Sequence, residues 1–191
     1  MLYQTNTGRI PGTILTREES GNLTGAAFLD SLFYLQDGIA LSGIRRICGI
    51  DGSTLQNWIK RGWAGKAVRK KYSRNQFARI LLINLMRDSL YLDTIDAILH
   101  SLNGDLETEE DDLLPESEVY DLVCRLLDRG DGKPLSKESL RSLIRSETAS
   151  IPEPFPDARA RLCAVLEIIV LSSLSRELLS EIGQSVSDLL P

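Results

Sequence analysis

The spacing of apolar residues predicts helices along most of this chain. From Thr24, which can cap a helix, apolar residues recur at helical steps between Phe28 and Leu35 and stop near Gly38. Residues 1–23 are rich in Thr, Gly, Asn and Glu and show no clear period, so we expect a flexible or loosely packed arm there.

Two short helices and a hairpin are predicted next. In the stretch SGIRRICGIDGSTLQNWIKRGW, apolar residues line one side of each helix and GIDG makes the turn. These apolar residues are Ile44, Ile47 and Cys48 in the first helix and Leu55, Trp58 and Ile59 in the second. The following stretch AGKAVRKKY is too short and polar for a helix, and its Val68 and Tyr72 favour a small β-hairpin.

A longer helix is predicted after the hairpin. Ser73 and Gln76 have the spacing of a capping box, which opens a helix. The predicted core face of that helix consists of Phe77, Ile80, Leu81, Asn84 and Leu85. Asp93 is expected to cap a further helix that runs to Leu102.

An acidic, turn-rich segment at residues 103–115 predicts a linker before a second lobe. Beyond it, residues 116–129 and 136–147 have amphipathic helical patterns, the second capped at Ser136. The prolines of IPEPFP cannot lie inside a helix and so interrupt the helical pattern. Asp157 is expected to cap a last helix after them. Between Leu162 and Leu171 that helix is apolar around most of its circumference, which predicts burial inside the lobe or against another subunit.

The charges are distributed unevenly along the chain. Within a net charge of −5, residues 40–90 hold 11 Lys/Arg and two acids, whereas residues 91–191 hold 9 Lys/Arg and 21 acids. A compact cationic patch is what a nucleic-acid surface requires, because binding releases counterions from phosphates. The acidic remainder would repel DNA and help to orient the patch.

The residues do not support a disulfide framework, a metal site, an enzyme or a membrane protein. The three cysteines are far apart and set among apolar residues, so we expect reduced thiols that pack as small hydrophobic groups. His100 is the only histidine and has no Cys or His at metal spacing, and the acids of 107–112 lack the order of a calcium loop. We expect no enzyme activity, no cofactor and no metal. Without a long apolar run or a basic leader, we expect no membrane span and a cytoplasmic location.

A helix that reads DNA must separate its polar residues from the apolar residues that hold it to its own domain. The second helix of the pair does so, and its Gln and Asn side chains can pair bidentately with adenine. Lys and Arg suit phosphates, and Tyr72 is expected mainly to pack the hairpin against the helices. The predicted DNA-binding residues are Ser53, Thr54, Gln56, Asn57, Lys60, Arg61, Lys66, Arg69, Lys70, Lys71, Tyr72 and Arg74.

The segments IRRICGIDGSTLQNWIKRGW and RKKYSRNQFARILLINLMRDSLYLDTIDAIL resemble the DNA-binding half of MerR-type regulators. They are more similar still to a bacterial family of unknown function that carries such a segment and a helical tail. The resemblance covers residues 42–102 and implies that Gln56 contacts DNA, Asn57 touches a phosphate and the wing lies on the backbone. The long coiled-coil helix of those regulators is missing here, so the resemblance does not extend to their effector sensing or DNA distortion.

Together these observations predict an all-α fold: a winged helix-turn-helix domain (24–102) with a small β-hairpin wing, followed by a helical lobe (116–191). The first hypothesis is a transcriptional regulator that binds duplex DNA as a homodimer, with the last helix as the dimer contact. A second hypothesis is a protein-interaction module of the same fold. A third, an enzyme with an unrecognised site, is opposed by the lack of convergent nucleophile and base residues. The sequence names no small-molecule effector.

Overall fold

Helices make up most of the computed structural model, which describes residues 2–3, 8–103, 113–130 and 135–190. The predicted all-α class is confirmed at this level. The helices are α1 (Gly25–Phe33), α2 (Leu41–Cys48), α3 (Gly52–Lys60), α4 (Arg74–Met86), α5 (Leu92–His100), α6 (Glu116–Gly130), α7 (Lys137–Thr148) and α8 (Ala158–Leu189). The short strands are β1 (Leu2–Tyr3), β2 (Ile39–Ala40), β3 (Lys71–Tyr72) and β4 (Leu135–Ser136). Strand β1 pairs antiparallel with β4, and β2 pairs antiparallel with β3.

Local signals explain several helix boundaries. Ser73 accepts a hydrogen bond from the backbone N–H of Gln76, whose side chain reaches back to Ser73, so the predicted capping box is confirmed. Ser136 likewise accepts from the N–H of Ser139 at the start of α7. Helix α2 ends at Cys48, and the capping residue Gly49 that follows has a φ of 66°, which favours glycine.

The hydrophobic core is built around α4. Every residue of α4 from Phe77 to Met86 is buried, including the polar residues Arg79 and Asn84. The sequence predicted one core face for this helix, but α4 contacts helices on several sides, among them α6 and α8. A helix enclosed in this way must pair its polar groups within the protein.

The helices on either side of the predicted linker share one core. Their buried apolar residues form a single cluster, and α6 packs against both α1 and α4. The second half of the chain therefore covers apolar surface of the first half. Residues 104–112, which carry most of the predicted acidic linker, lie outside the described residues.

The N-terminal segment is packed more tightly than its sequence predicted. Ile10 is 1% exposed, and the backbone carbonyl of Pro11 accepts a hydrogen bond of 2.8 Å from the buried Tyr120 hydroxyl. Gly12 has a φ of 75°, and a Cβ there would lie 2.7 Å from the carbonyl oxygen of Leu81. The expectation of a loosely packed arm is wrong for residues 10–13, because only glycine allows this approach to the α4 backbone.

Helix α1 differs from its sequence prediction at both ends. It stops at Phe33, and Leu35, expected in the core, is 88% exposed. At its start, the Thr24 hydroxyl donates to Asp128 of α6 instead of capping the helix. Asp121 of α6 takes over the capping role by accepting from the backbone N–H of Ala26 at 2.7 Å. The carboxylate that caps α1 therefore comes from a distant part of the chain.

Two other predicted caps have different roles. Asp93 lies in the first turn of α5, where its charge favours the helix dipole, but Tyr91 occupies the capping position. Asp157 occupies the capping position of α8 with a φ of 64°, and its side chain makes no capping hydrogen bond.

Burial also decides the chemistry of two thiols. Cys48 and Cys124 are buried, and desolvation raises the pKa of each to about 12. All three cysteines are free, which agrees with the predicted packing role. No helix in the described part of the chain combines the length and apolar content that a bilayer crossing needs.

A buried ion cluster joins α4 to the second half of the chain. Arg79, 2% exposed at its side chain, forms ion pairs of 2.9 Å with Asp96 and 3.2 Å with Glu116. Its Nε donates to the carbonyl of Trp63 at 2.7 Å. One guanidinium thus connects the segment after α3 with α5 and α6.

Replacing Arg79 with Ala should lower the free energy of unfolding by about 3–5 kcal/mol, because the buried Glu116 carboxylate would lose its partner. Urea denaturation followed by circular dichroism measures the change. Glu153→Gln is the control, since it removes only an exposed pair with Arg159 and should cost less than about 1 kcal/mol. Equal losses for the two variants would contradict a stabilising role for the cluster.

Candidate nucleic-acid interface

Helix α3 presents one polar face to solvent. Ser53, Gln56, Asn57 and Lys60 are exposed, and their spacing of three and four residues places them on the same side of the helix. On the other side, Leu55 is fully buried and Trp58 is 1% exposed. The predicted separation of polar and apolar residues around α3 is therefore confirmed.

The N-terminal end of α3 is organised by Asp51, which the sequence analysis had not singled out. Its carboxylate accepts from the backbone N–H of Thr54 at 2.8 Å and from the hydroxyls of Ser53 and Thr54. The hydrogen bonds from Ser53 and then Thr54 lower the pKa of Asp51. Two hydroxyls assigned to DNA contact are thus donors to a capping carboxylate. An Asp directly before a helix is the signal that could have identified this role.

A tight turn brings two cations to the tip of the hairpin. The backbones of Val68 and Lys71 exchange two hydrogen bonds of 2.9 Å, and only Arg69 and Lys70 lie between them. Both turn residues have positive φ, 50° and 65°, as in a type I′ turn. Asn-Gly is the favoured pair for this conformation, so Arg69 and Lys70 are held in a backbone conformation that is costly for their residue types.

The hairpin is fastened to the helix pair at its base. We refer to residues 66–72 as the basic hairpin. Its last strand, β3, pairs with β2, which leads directly into α2, and Ile39 lies opposite Tyr72. The side-chain amide of Gln76 donates to the carbonyl of Lys66 at 2.8 Å. The start of α4 and the start of α2 therefore fix where the basic hairpin stands.

Two of the predicted site residues contact other parts of the protein. Tyr72 is 4% exposed, and burial raises the pKa of its hydroxyl. Arg74 forms an ion pair of 2.8 Å with Asp30 of α1. The packing role expected for Tyr72 is confirmed, and neither residue belongs to the exposed cationic surface.

Most of the positive charge of this region faces solvent. Of the 11 Lys and Arg residues between 40 and 90, Arg74, Arg79 and Arg87 form ion pairs. The other eight are exposed and make no ion pair with a carboxylate in the described ranges. We call them the exposed cations: Arg45, Arg46, Lys60, Arg61, Lys66, Arg69, Lys70 and Lys71.

Arg45 and Arg46 were not among the predicted site residues. Both are exposed near the end of α2, and a Cβ on Gly52 would lie 3.1 Å from the Arg45 guanidinium carbon. Arg45 therefore lies against the first turn of α3. The signal for them in the sequence is the positive charge of residues 40–90 as a whole, since both lie outside the second helix and the hairpin.

Comparison with known proteins assigns no function. Residues 41–123 match the model of a protein family described as a domain of unknown function (DUF1836). The matched segment begins at the first residue of α2 and ends inside α6, so it spans both sides of the predicted linker. No curated protein and no solved structure is similar enough to the chain to be matched.

The double substitution Arg69→Asn and Lys70→Gly should raise the free energy of unfolding by about 1–2 kcal/mol, because Asn-Gly adopts the positive-φ turn at a lower cost. Thermal denaturation measures the effect as a higher melting temperature. The control, Lys66→Asn with Lys71→Asn, also removes two positive charges from the hairpin but leaves the two turn residues unchanged. If the control raises the melting temperature equally, relief of charge repulsion explains the gain and the turn is not strained.

Proposed function

We propose that this protein binds duplex DNA and regulates transcription, with α2 and α3 as a MerR-like helix-turn-helix and the basic hairpin as its wing. The observation that carries this proposal is the exposed polar face of α3 together with the exposed cations. A solvent-facing helix with amides on one side and a buried apolar back is suited to enter the major groove. A DNA-binding role would place the protein in the cytoplasm.

The chemistry of α3 fits groove contacts. Gln56 and Asn57 are exposed amides on adjacent positions, and an amide can donate to and accept from adenine at the same time. Ser53 and Thr54 are occupied by Asp51, which leaves Gln56 and Asn57 as the main candidates for base contacts. With two such residues and no early arginine, we expect modest discrimination between sequences.

The basic hairpin fits contacts to the phosphate backbone. Lys and Arg side chains bind phosphates without reading sequence, and each such contact adds to the salt dependence of binding. Arg69 and Lys70 occupy a turn whose backbone would be more stable with Asn-Gly. Strained residues at an exposed tip are often kept for a contact, and a phosphate contact uses both of these charges.

The proposal includes a homodimer. One winged module covers only roughly 600–1,000 Å² on DNA, so useful affinity normally needs two modules on one site. One side of helix α8 is buried as far as Leu174, and every described residue from 178 onward is exposed. Its exposed part carries Leu179, Ile182, Val186 and Leu189 at alternating steps of three and four residues. This is the spacing of a coiled-coil seam, and a second copy of α8 offers the matching apolar surface.

Reversing two hairpin charges should weaken DNA binding and its salt dependence. We expect Lys70→Glu with Lys71→Glu to reduce the slope of log affinity against log salt by about two units, since two phosphate contacts are lost. Fluorescence anisotropy measures this on a duplex retained by the wild-type protein from a random pool. Gln56→Ala on the same duplex should instead lower the preference for that sequence and leave the slope unchanged.

The control for charge reversal is Lys137→Glu with Arg145→Glu, two exposed cations on α7 outside the proposed interface. It should keep the wild-type salt slope. If reversal of the hairpin charges leaves binding unchanged, the result supports the alternative function, a protein-interaction module. Failure of the wild-type chain to retain any duplex would overturn the proposed function.

Leu179→Glu with Ile182→Glu should convert a dimer into a monomer, because charged side chains at the seam would have to be buried without partners. Size-exclusion chromatography with light scattering measures the mass, which for one chain is 21.2 kDa. Leu35→Glu, at an 88% exposed position outside α8, should leave the dimer intact. A wild-type protein that is monomeric at micromolar concentration would contradict the dimer.

A further inference from the structure

A cavity of about 350 Å³ lies between the N-terminal segment and helices α4, α6 and α8. Residues 8–13 form one side, α4 and α6 contribute Leu85 and Leu127, and α8 contributes residues between Ser173 and Ser180. This volume falls in the usual range for small-molecule sites, roughly 300–1,000 Å³. The cavity is separate from the proposed DNA-binding face, which uses α3 and the basic hairpin.

Two guanidinium groups line this cavity. Arg176 donates from Nη1 to the carbonyl of Asn84 at 2.8 Å and pairs through Nε with Asp88 at 3.0 Å. Its Nη2 has no hydrogen bond or ion pair among the described residues, and neither does the side chain of Arg9. Burial lowers the pKa of Arg176 despite Asp88, and the charges of Arg87 and Arg9 lower it further. An anion in the cavity would offset this repulsion.

The remaining wall has both apolar and polar parts. Ile10, Leu85 and Leu127, each at most 2% exposed, form the apolar lining, while Ser173 and Ser180 carry hydroxyl groups. Glu177 contributes a carboxylate to the wall. Two cations beside an apolar wall suit a ligand with an oxyanion at one end and an apolar body. We infer that this cavity binds a small organic oxyanion, a carboxylate or a phosphate ester.

The cavity is connected to the proposed DNA-binding helices by short contacts. The Asn84 side-chain amide donates both to the carbonyl of Gly12, which lines the cavity, and to the carbonyl of Cys48 in the last turn of α2. The backbone N–H of Ile14 donates to the carbonyl of Ile47 at 3.0 Å. A ligand that shifts residues 8–13 would therefore act on α2 directly. This regulatory part of the inference rests on the proposed function, and binding itself does not.

Thermal shift with two probes tests the site. Benzoate or phenyl phosphate, at about ten times its dissociation constant and with ionic strength matched by NaCl, should raise the melting temperature by about 3–6 °C. The two probes distinguish carboxylate from phosphate ester. Benzyl alcohol, which lacks the charge, should produce no shift. No shift beyond the NaCl control, or an equal shift with benzyl alcohol, would overturn the oxyanion site.

Substitutions locate the probe. Arg9→Gln changes an exposed residue and should reduce the shift to the salt control, as should Arg176→Gln if that variant folds. Lys137→Gln removes an exposed cation on α7 and should retain the full shift. A shift that persists in Arg9→Gln would place the probe elsewhere and overturn the assignment.

A DNA titration with and without probe tests the coupling. The probe should change the dissociation constant of wild-type protein for its duplex by about fivefold or more, and Arg9→Gln should lose this effect. A thermal shift without any DNA binding would overturn the proposed function and leave the site intact. DNA binding without a thermal shift would overturn the site alone. A thermal shift with unchanged DNA affinity would overturn the coupling.

Discussion

Enclosure of α4 on all sides is the constraint on which the rest of the structure depends. Ten consecutive residues of this helix are buried, so each polar side chain among them must find a partner inside the protein. Arg79 meets two carboxylates and the carbonyl of Trp63, and Asn84 donates to the carbonyls of Gly12 and Cys48. These partners come from the N-terminal segment, α2, the segment after α3, α5 and α6, so the pairing of two side chains of α4 connects distant parts of the chain.

The positive charges of this region fall into two groups, those paired with carboxylates and those exposed to solvent. Arg74, Arg79 and Arg87 have carboxylate partners, while the exposed cations face solvent on α2, on α3 and the residue after it, and on the basic hairpin. The helix pair is anchored through its apolar back and through β2. Its polar face is therefore held in place without using the groups that would contact DNA. The proposed ligand cavity uses different residues, where the N-terminal segment meets α4, α6 and α8.

Much of the fold could be predicted from local patterns. The helix pair, the capping box at Ser73 and the break at IPEPFP depend on residues within a few positions of one another, and each prediction is confirmed. The exposed face of α3 was predictable for the same reason. Predictions failed where a distant partner intervenes: Asp121 caps α1 in place of Thr24, and residues 10–13 are covered by α4 and Tyr120. The proposed ligand cavity could not be predicted either, because its walls come from four separate segments.

The sequence by itself determined where α4 begins, where the helix pair and α7 lie along the chain, and where positive charge concentrates. Periodicity, caps and turn residues act over one or two helical turns, so they can be read without knowing the fold. Only the tertiary structure decided which of eleven cations are neutralised, that Asp51 engages the Ser53 and Thr54 hydroxyls, and that the N-terminal segment joins the core. Most of these outcomes depend on carboxylates, carbonyls and apolar surfaces far away along the chain, and even the Asp51 contacts depend on how the turn between α2 and α3 is folded.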